Sequence, residues 1–363
     1  MTSPRCALLL AALLAFAGTL RAQEPATTLE NLQTRSALTD EDRAALQQWL
    51  GQRIANVVGA DALVAQGANT QLREAYKGTD AFKEGYVAAC LEAVSSAYQK
   101  APPLSAARLL SLVAHFDDLR GLNLFIEALG DDRAAVRATA AIALRRLQPK
   151  LAGDAAACGT VLAALKTAGG KESSGETLRL IYAAMNYSGV TPATNLRASA
   201  QAILNVLEER AKLYTGSSVR AEGADLAVLC HNETLRGAFD EAERKRYAIV
   251  LAKLLHHGVE RYATGEMPLG KVRDRSAGPD AIALRNDTEL LIRETEEQLV
   301  KLLALEQAPQ VTEKMLRADR TEMVIELGKW LPIFKDKLGV DLPPLNAPPP
   351  DESEEGPEES PEP

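Results

Sequence analysis

Apolar residues recur along this chain at spacings of three and four, and runs of β-branched residues are scarce. That period predicts amphipathic helices. Leu46, Trp49, Leu50, Ile54 and Val57 share one stripe. Thr39-Asp40-Glu41-Asp42 opens their helix as a capping box with Asp in place of Glu. A second helix is expected over residues 62–76 and a third over 80–100, with Phe82, Tyr86, Cys90, Val94 and Tyr98 on one face. Pro102-Pro103 closes this block, and residues 23–36 read as a polar lead-in. Leu109, Leu112, Val113 and Phe116 then mark a helix whose partner is expected over 119–129. Helix 133–147 is expected to pair with 155–167, and 175–187 with 195–214. Two longer helices follow over 240–263 and 287–305, the second capped by Asn286 with Glu289. After Pro309 comes a short helix. Asp319 then caps a last one carrying Val324, Leu327, Leu331, Phe334 and Leu338, which Pro332 is expected to kink or break.

The most specific segment runs from Gly130 to Leu144. Asp131 or Asp132 offers a carboxylate to the first backbone N–H groups of a helix. Val136, Ala140, Ala143, Leu144 and Leu147 make its buried stripe, and the alanines at 138, 140, 141 and 143 permit close helix approach. An acidic turn followed by Val136-Arg137-x-x-Ala140-Ala141-x-Ala143-Leu144 resembles the short bacterial HEAT repeat of the PBS-lyase-like type, most clearly over residues 104–170. The resemblance implies an all-α fold, a right-handed α-α superhelix (a HEAT-like solenoid), with Asp131, Asp132, Val136, Arg137, Ala140 and Leu144 as repeat residues. It implies that Arg137 bonds across to the next repeat as a structural tie. First helices start about 30 to 42 residues apart, a spacing that suits such repeats.

Composition adds an address. Arg5 precedes an apolar run from Cys6 to Ala17, with small residues at Gly18 and Ala22, which reads as an export signal over residues 1–22. Cleavage after Ala17 or after Ala22 fits, and the mature chain is not expected to span a membrane. Cys90, Cys158 and Cys230 remain, too few and too widely spaced for a disulfide scaffold, and each beside small apolar residues. Buried thiols are expected, with one bridge left open. The formal charge of −8 is concentrated at the end. Without the seven acids of residues 351–363 and the leader's two arginines it is about −3, which argues against a nucleic-acid partner. From Leu342 onward the Pro/Glu-rich tail is expected to be disordered.

Candidate chemistry is sparse. His256, His257 and Glu260 are the one cluster resembling metal ligands, against a solvated helix end as the alternative, and the His-Glu-x-x-His pattern is absent. His231 beside Cys230 is weaker. No Gly-x-Ser-x-Gly elbow, phosphate-cradling loop or Cys-x-x-Cys occurs. Gly169-Gly170 reads as a turn, and Glu208-Glu209 and Glu294, Glu296 and Glu297 as solvated faces. The triplets at Asn186, Asn232 and Asn286 read as chance glycosylation signals in a bacterial protein. Lys271, Arg273 and Arg275 alternate in a long connection and offer a partner-binding loop.

The expected organisation is a signal (1–22), an N-terminal helical cap (23–103), HEAT-like repeats (104–237), a long-helix region (238–341) and an acidic tail (342–363). The expected function is an exported scaffold, periplasmic or secreted, that binds an unidentified protein or peptide without a cofactor and is not an enzyme. The alternatives are a metal-dependent envelope enzyme built on His256, His257 and Glu260, and a structural envelope component.

Overall fold

The structure, a computed structural model, describes residues 28–59, 61–191, 193–214, 223, 229–230, 232–263 and 279–346. Among these, every regular element is a helix, and no helix is long and apolar enough to cross a membrane. The leader, most of the tail, His231 and the loop carrying Lys271, Arg273 and Arg275 lie outside the described residues. The chain divides into two compact units, Met1–Phe116 and Asp117–Pro363.

The first unit contains α1 (Leu29–Gln33), α2 (Asp40–Gly59), α3 (Ala62–Glu74), α4 (Asp80–Ala97) and α5 (Pro103–His115). Helix α2 packs on α3 and α4, and α5 lies against all three. The capping box forms as its pattern dictates: Thr39 N–H donates to Asp42 Oδ2 at 3.1 Å, and Asp42 N–H to Thr39 Oγ1 at 3.2 Å. Leu46, Leu50, Ile54 and Val57 are buried, and so are Phe82, Tyr86, Cys90, Val94 and Tyr98. Rings of Trp49, Tyr76, Phe82 and Phe116 surround Tyr86, whose hydroxyl donates to Leu72 O at 2.6 Å. The lead-in is partly helical. In α1, Leu32 is buried and Gln33 Nε2 donates to Ala75 O at 3.0 Å, closing the end of α3.

The second unit contains α6 (Leu122–Ala128), α7 (Ala134–Leu151), α8 (Ala155–Lys171), α9 (Gly175–Met185), α10 (Leu196–Leu213), α11 (Glu233–Gly237), α12 (Glu241–Ala263), α13 (Pro279–Leu302), α14 (Val311–Leu316) and α15 (Arg320–Ile333), with a π-turn at Phe334–Leu338. Val136, Ala140, Ala143, Leu144 and Leu147 are all buried, with Arg145 and Arg146 exposed. The stripes of α10 and α12 are buried too, apart from half-exposed Leu196. The pairing differs from expectation. Helix α7 packs mainly on α9 and α8 mainly on α10, with the sequential neighbours in lighter contact. Over α7 to α10 each helix therefore lies chiefly against the next but one, whereas α12 packs mainly on its neighbour α13.

Several boundaries also differ. Helix α7 runs past Pro149 to Leu151, held by the burial of Leu151 and by Gln148, whose Nε2 donates to Ala184 O at 2.7 Å and Asn186 O at 3.2 Å. Gly169 and Gly170 are the last turn of α8, not a connection. Gly169 is buried there against Val206 and Ile181. Helix α13 begins at Pro279, so Asn286 and Glu289 lie inside it and form no cap. Glu289 instead accepts from Arg285 Nε at 2.6 Å and from the Tyr262 hydroxyl at 3.2 Å. Pro332 does not end α15, which passes directly into the π-turn, whose Phe334 and Leu338 are buried. Asp319 caps α15 as expected, accepting from Glu322 N–H at 2.9 Å.

Candidate functional site

The acidic turn before α7 folds around arginines rather than capping the helix directly. The N-cap position is Arg133, which has no side-chain cap. Asp131, two residues before it, accepts Arg133 N–H at 2.9 Å and the same residue's Nε at 2.7 Å and Nη2 at 2.6 Å. Neither Asp131 nor Asp132 therefore serves as the cap, because Asp131 is taken by its neighbour and Asp132 is exposed. Arg137 lies one turn into α7. Its Nη1 donates to Asp131 O and Asp132 O, both at 2.8 Å. Its Nε and Nη2 grip Glu172 at 2.7 and 2.8 Å in a two-pronged pair.

Glu172 follows the last residue of α8, and its side chain is 1% exposed. Burial pushes its carboxyl upward. The Arg137 fork and the Ser174 N–H, which donates at 2.9 Å, outweigh that and hold it below the ordinary value. The Arg133 side chain likewise holds Asp131 low, and Glu172 raises Arg137. From α10, buried Arg210 donates through Nη1 to Glu172 O at 2.8 Å and Gly169 O at 3.3 Å, so it closes the end of α8. The sequence reading missed Arg210. Its signal was phase, since it sits on the buried stripe between Leu207 and Ala211.

Above this bracing opens a cleft of about 640 Å³. Ile126, Glu127 and Leu129 from the end of α6, with the 130–132 turn, form one wall; Ala164, Thr167, Ala168 and Lys171 of α8 form the other. The cleft exists because α6 is a short helix that meets α8 only lightly, whereas α8 meets α10 along its length. Its floor is apolar and its rim carries exposed Glu127, Asp132 and Lys171. Arg137 spends its nitrogens on protein acceptors, so it braces the wall and is not a receptor for an incoming anion.

The imidazole cluster is separated. His256 is 7% exposed, not solvated, and its Nε2 lies 2.8 Å from Pro343 O. His257 turns the other way and stacks on Tyr214, ring centroids 4.8 Å apart. Glu260 is half-exposed. Among the described residues no three His, Cys, Asp or Glu side chains are arranged to hold a metal ion. Cys90, Cys158 and Cys230 are buried free thiols, and burial pushes Cys90 up to about 12 and Cys230 to about 11. Glu296 departs from its expected solvated face. Buried on α13, it accepts from Val311 N–H, Thr312 N–H and Trp330 Nε1 at 2.9, 2.7 and 3.1 Å. Glu208 pairs with Arg246 of α12 at 2.5 Å.

Comparison of the chain with protein-family models, curated proteins and solved structures returned no match.

Proposed function

We propose that this chain is an exported binding protein built from HEAT-like helix pairs, and that it holds a protein or peptide segment in the cleft between α6 and α8. The reading rests on one recurring distance. From α7 to the start of α12, polar links recur at offsets of 35 to 44 residues, among them Arg137 to Glu172, Gln148 to Ala184, Ala152 to Asn195, Glu172 to Arg210, Gln201 to Glu243, Arg197 to Asp240 and Ser188 to Asn232. Offsets clustered near forty are what a two-helix repeat with insertions produces when each unit repeats the contacts of the last. Alternate-helix packing fits the same scheme, with one helix of every pair in each layer.

The cleft suits recognition. It is open, floored by Ile126, Leu129, Ala164 and Ala168, and rimmed by charge of both signs. A partner side chain entering it meets apolar surface first and orienting charges at the edge. Export rests on residues 1–22, and N-terminal sequencing of the mature protein checks it; a chain recovered beginning at Met1 in the cytoplasm would remove that part.

The cleft is tested by blocking it. An Ala164→Arg variant fills the cleft from a half-buried lining position on α8. Affinity capture from envelope extract, with Ala163→Arg on the outer face of α8 as control, is expected to lose its partner only with the cleft variant. Equal recovery with both would reject this location.

A further inference from the structure

We propose that the face of α12 around His256 is a binding site for extended proline-rich segments, which the chain fills with its own residues Leu342–Leu345. This is independent of the cleft between α6 and α8.

The π-turn Phe334–Leu338 packs on α12, and Gly339, at φ +74°, turns the chain out of it. Lys335 pairs with Asp341 at 3.0 Å, fixing the start of the following strap. The strap then reads Leu342-Pro343-Pro344-Leu345. Two prolines fix φ near −65° at consecutive positions, and the residue before a proline is kept out of the helical region. The favoured backbone is polyproline II, which repeats every three residues. Burial follows that period. Leu342 and Leu345, three apart, are half-buried, whereas Pro343 and Pro344 between them are exposed.

A polyproline II segment makes no internal hydrogen bonds, so its carbonyls need water or a receptor donor. His256 supplies one. A carbonyl can only accept, so Nε2 carries the proton and donates to Pro343 O at 2.8 Å, across 87 residues. A buried donor on a carbonyl of the strap, with half-buried apolar side chains three residues apart flanking it, is the pattern by which grooves take proline-rich ligands. The ligand chemistry that fits is therefore apolar-Pro-Pro-apolar in extended form. Such a segment loses little conformational freedom on binding, which favours exchange with the strap.

The experiment uses the full chain carrying Leu342→Ser and Leu345→Ser, which weakens the strap while leaving every helix intact. The probe is a fluorescein-labelled peptide Val-Asp-Leu-Pro-Pro-Leu-Asn-Ala, followed by anisotropy. The double variant is expected to bind it at least ten-fold more tightly than the unaltered chain, where the tethered strap competes at roughly millimolar effective concentration. The same peptide with both leucines changed to serine is expected not to bind. Adding His256→Phe is expected to lower affinity at least ten-fold, and His256→Gln, which restores a donor, to recover part of it. Because the peptide control is independent of any His256 variant's folding, equal binding of the two peptides overturns the proposal. So does equal binding by the altered and unaltered chains. Dimerisation of the unaltered chain that the peptide reverses would assign the site to a second copy's strap instead, against the proposal.

Discussion

Arg137 shows how much one side chain can organise. It joins the turn before its own helix to the end of the next helix, and its partner Glu172 is almost wholly out of water. Removing one member of such a pair leaves the other's desolvation uncompensated. Arg137→Ala is expected to destabilise the second unit by about 3 kcal/mol, read as a lower urea midpoint with unchanged slope. Arg137→Lys is expected to recover less than half, because an ammonium cannot grip both carboxylate oxygens and both turn carbonyls at once. A loss below about 0.5 kcal/mol for Arg137→Ala would mean the pair is worth no more than a surface ion pair. What could be read of this residue in advance was its place after Val136 and the tie that the family resemblance implies. Its partner could not be read, since nothing near Glu172 in sequence marks that carboxylate as buried. The roles of Gln148, Arg210 and Glu296 were hidden for the same reason: Gln148 and Arg210 donate to backbone carbonyls far along the chain, and Glu296 accepts from distant backbone and indole N–H groups.

Helix ends were legible where the chemistry is local. Thr39 with Asp42, and Asp319 with Glu322, satisfy neighbouring N–H groups, so sequence pattern and structure coincide. They were not legible where a tertiary contact decides, as at Pro149, where the last turn of α7 survives because Gln148 and Leu151 are anchored. Two C-termini also use an unusual residue. Leu305 N–H donates to Val300 O and Asp319 N–H to Lys314 O, closing Schellman motifs in which the left-handed position is Ala304 at φ +47° and Ala318 at φ +60°. A Cβ in that region costs about 1 kcal/mol, a cost glycine avoids. Ala304→Gly and Ala318→Gly are each expected to raise stability by up to about 1 kcal/mol, measured as a higher thermal midpoint. A lowered midpoint for both would show that backbone entropy outweighs the strain at these caps.

At the scale of the molecule, acid should be the condition that loosens the second unit. Glu172, Glu326 and Asp131 are all held below their ordinary values when folded. The unfolded chain therefore takes up protons first as pH falls, and the stability these groups contribute is complete above about pH 4.5. It is lost as pH drops through the lower folded values. The urea midpoint is expected to hold from pH 7 to 5 and fall between 4.5 and 3. Glu172→Gln should start lower at pH 7 and fall less steeply, and parallel curves for the two proteins would count against Glu172 as a contributor. The coarse fold was legible at this scale, since apolar phase alone marks most of the helices. The order of packing was not, because phase does not say which stripe meets which.

That order constrains how the chain can change length. With α7 seated on α9 and α8 on α10, excising a single one of these helices would bring together surfaces shaped for opposite sides. Under the proposed helix-pair repeat, gain or loss in this stretch is tolerable only in twos, roughly forty residues at a time, so related chains should differ there by even numbers of helices.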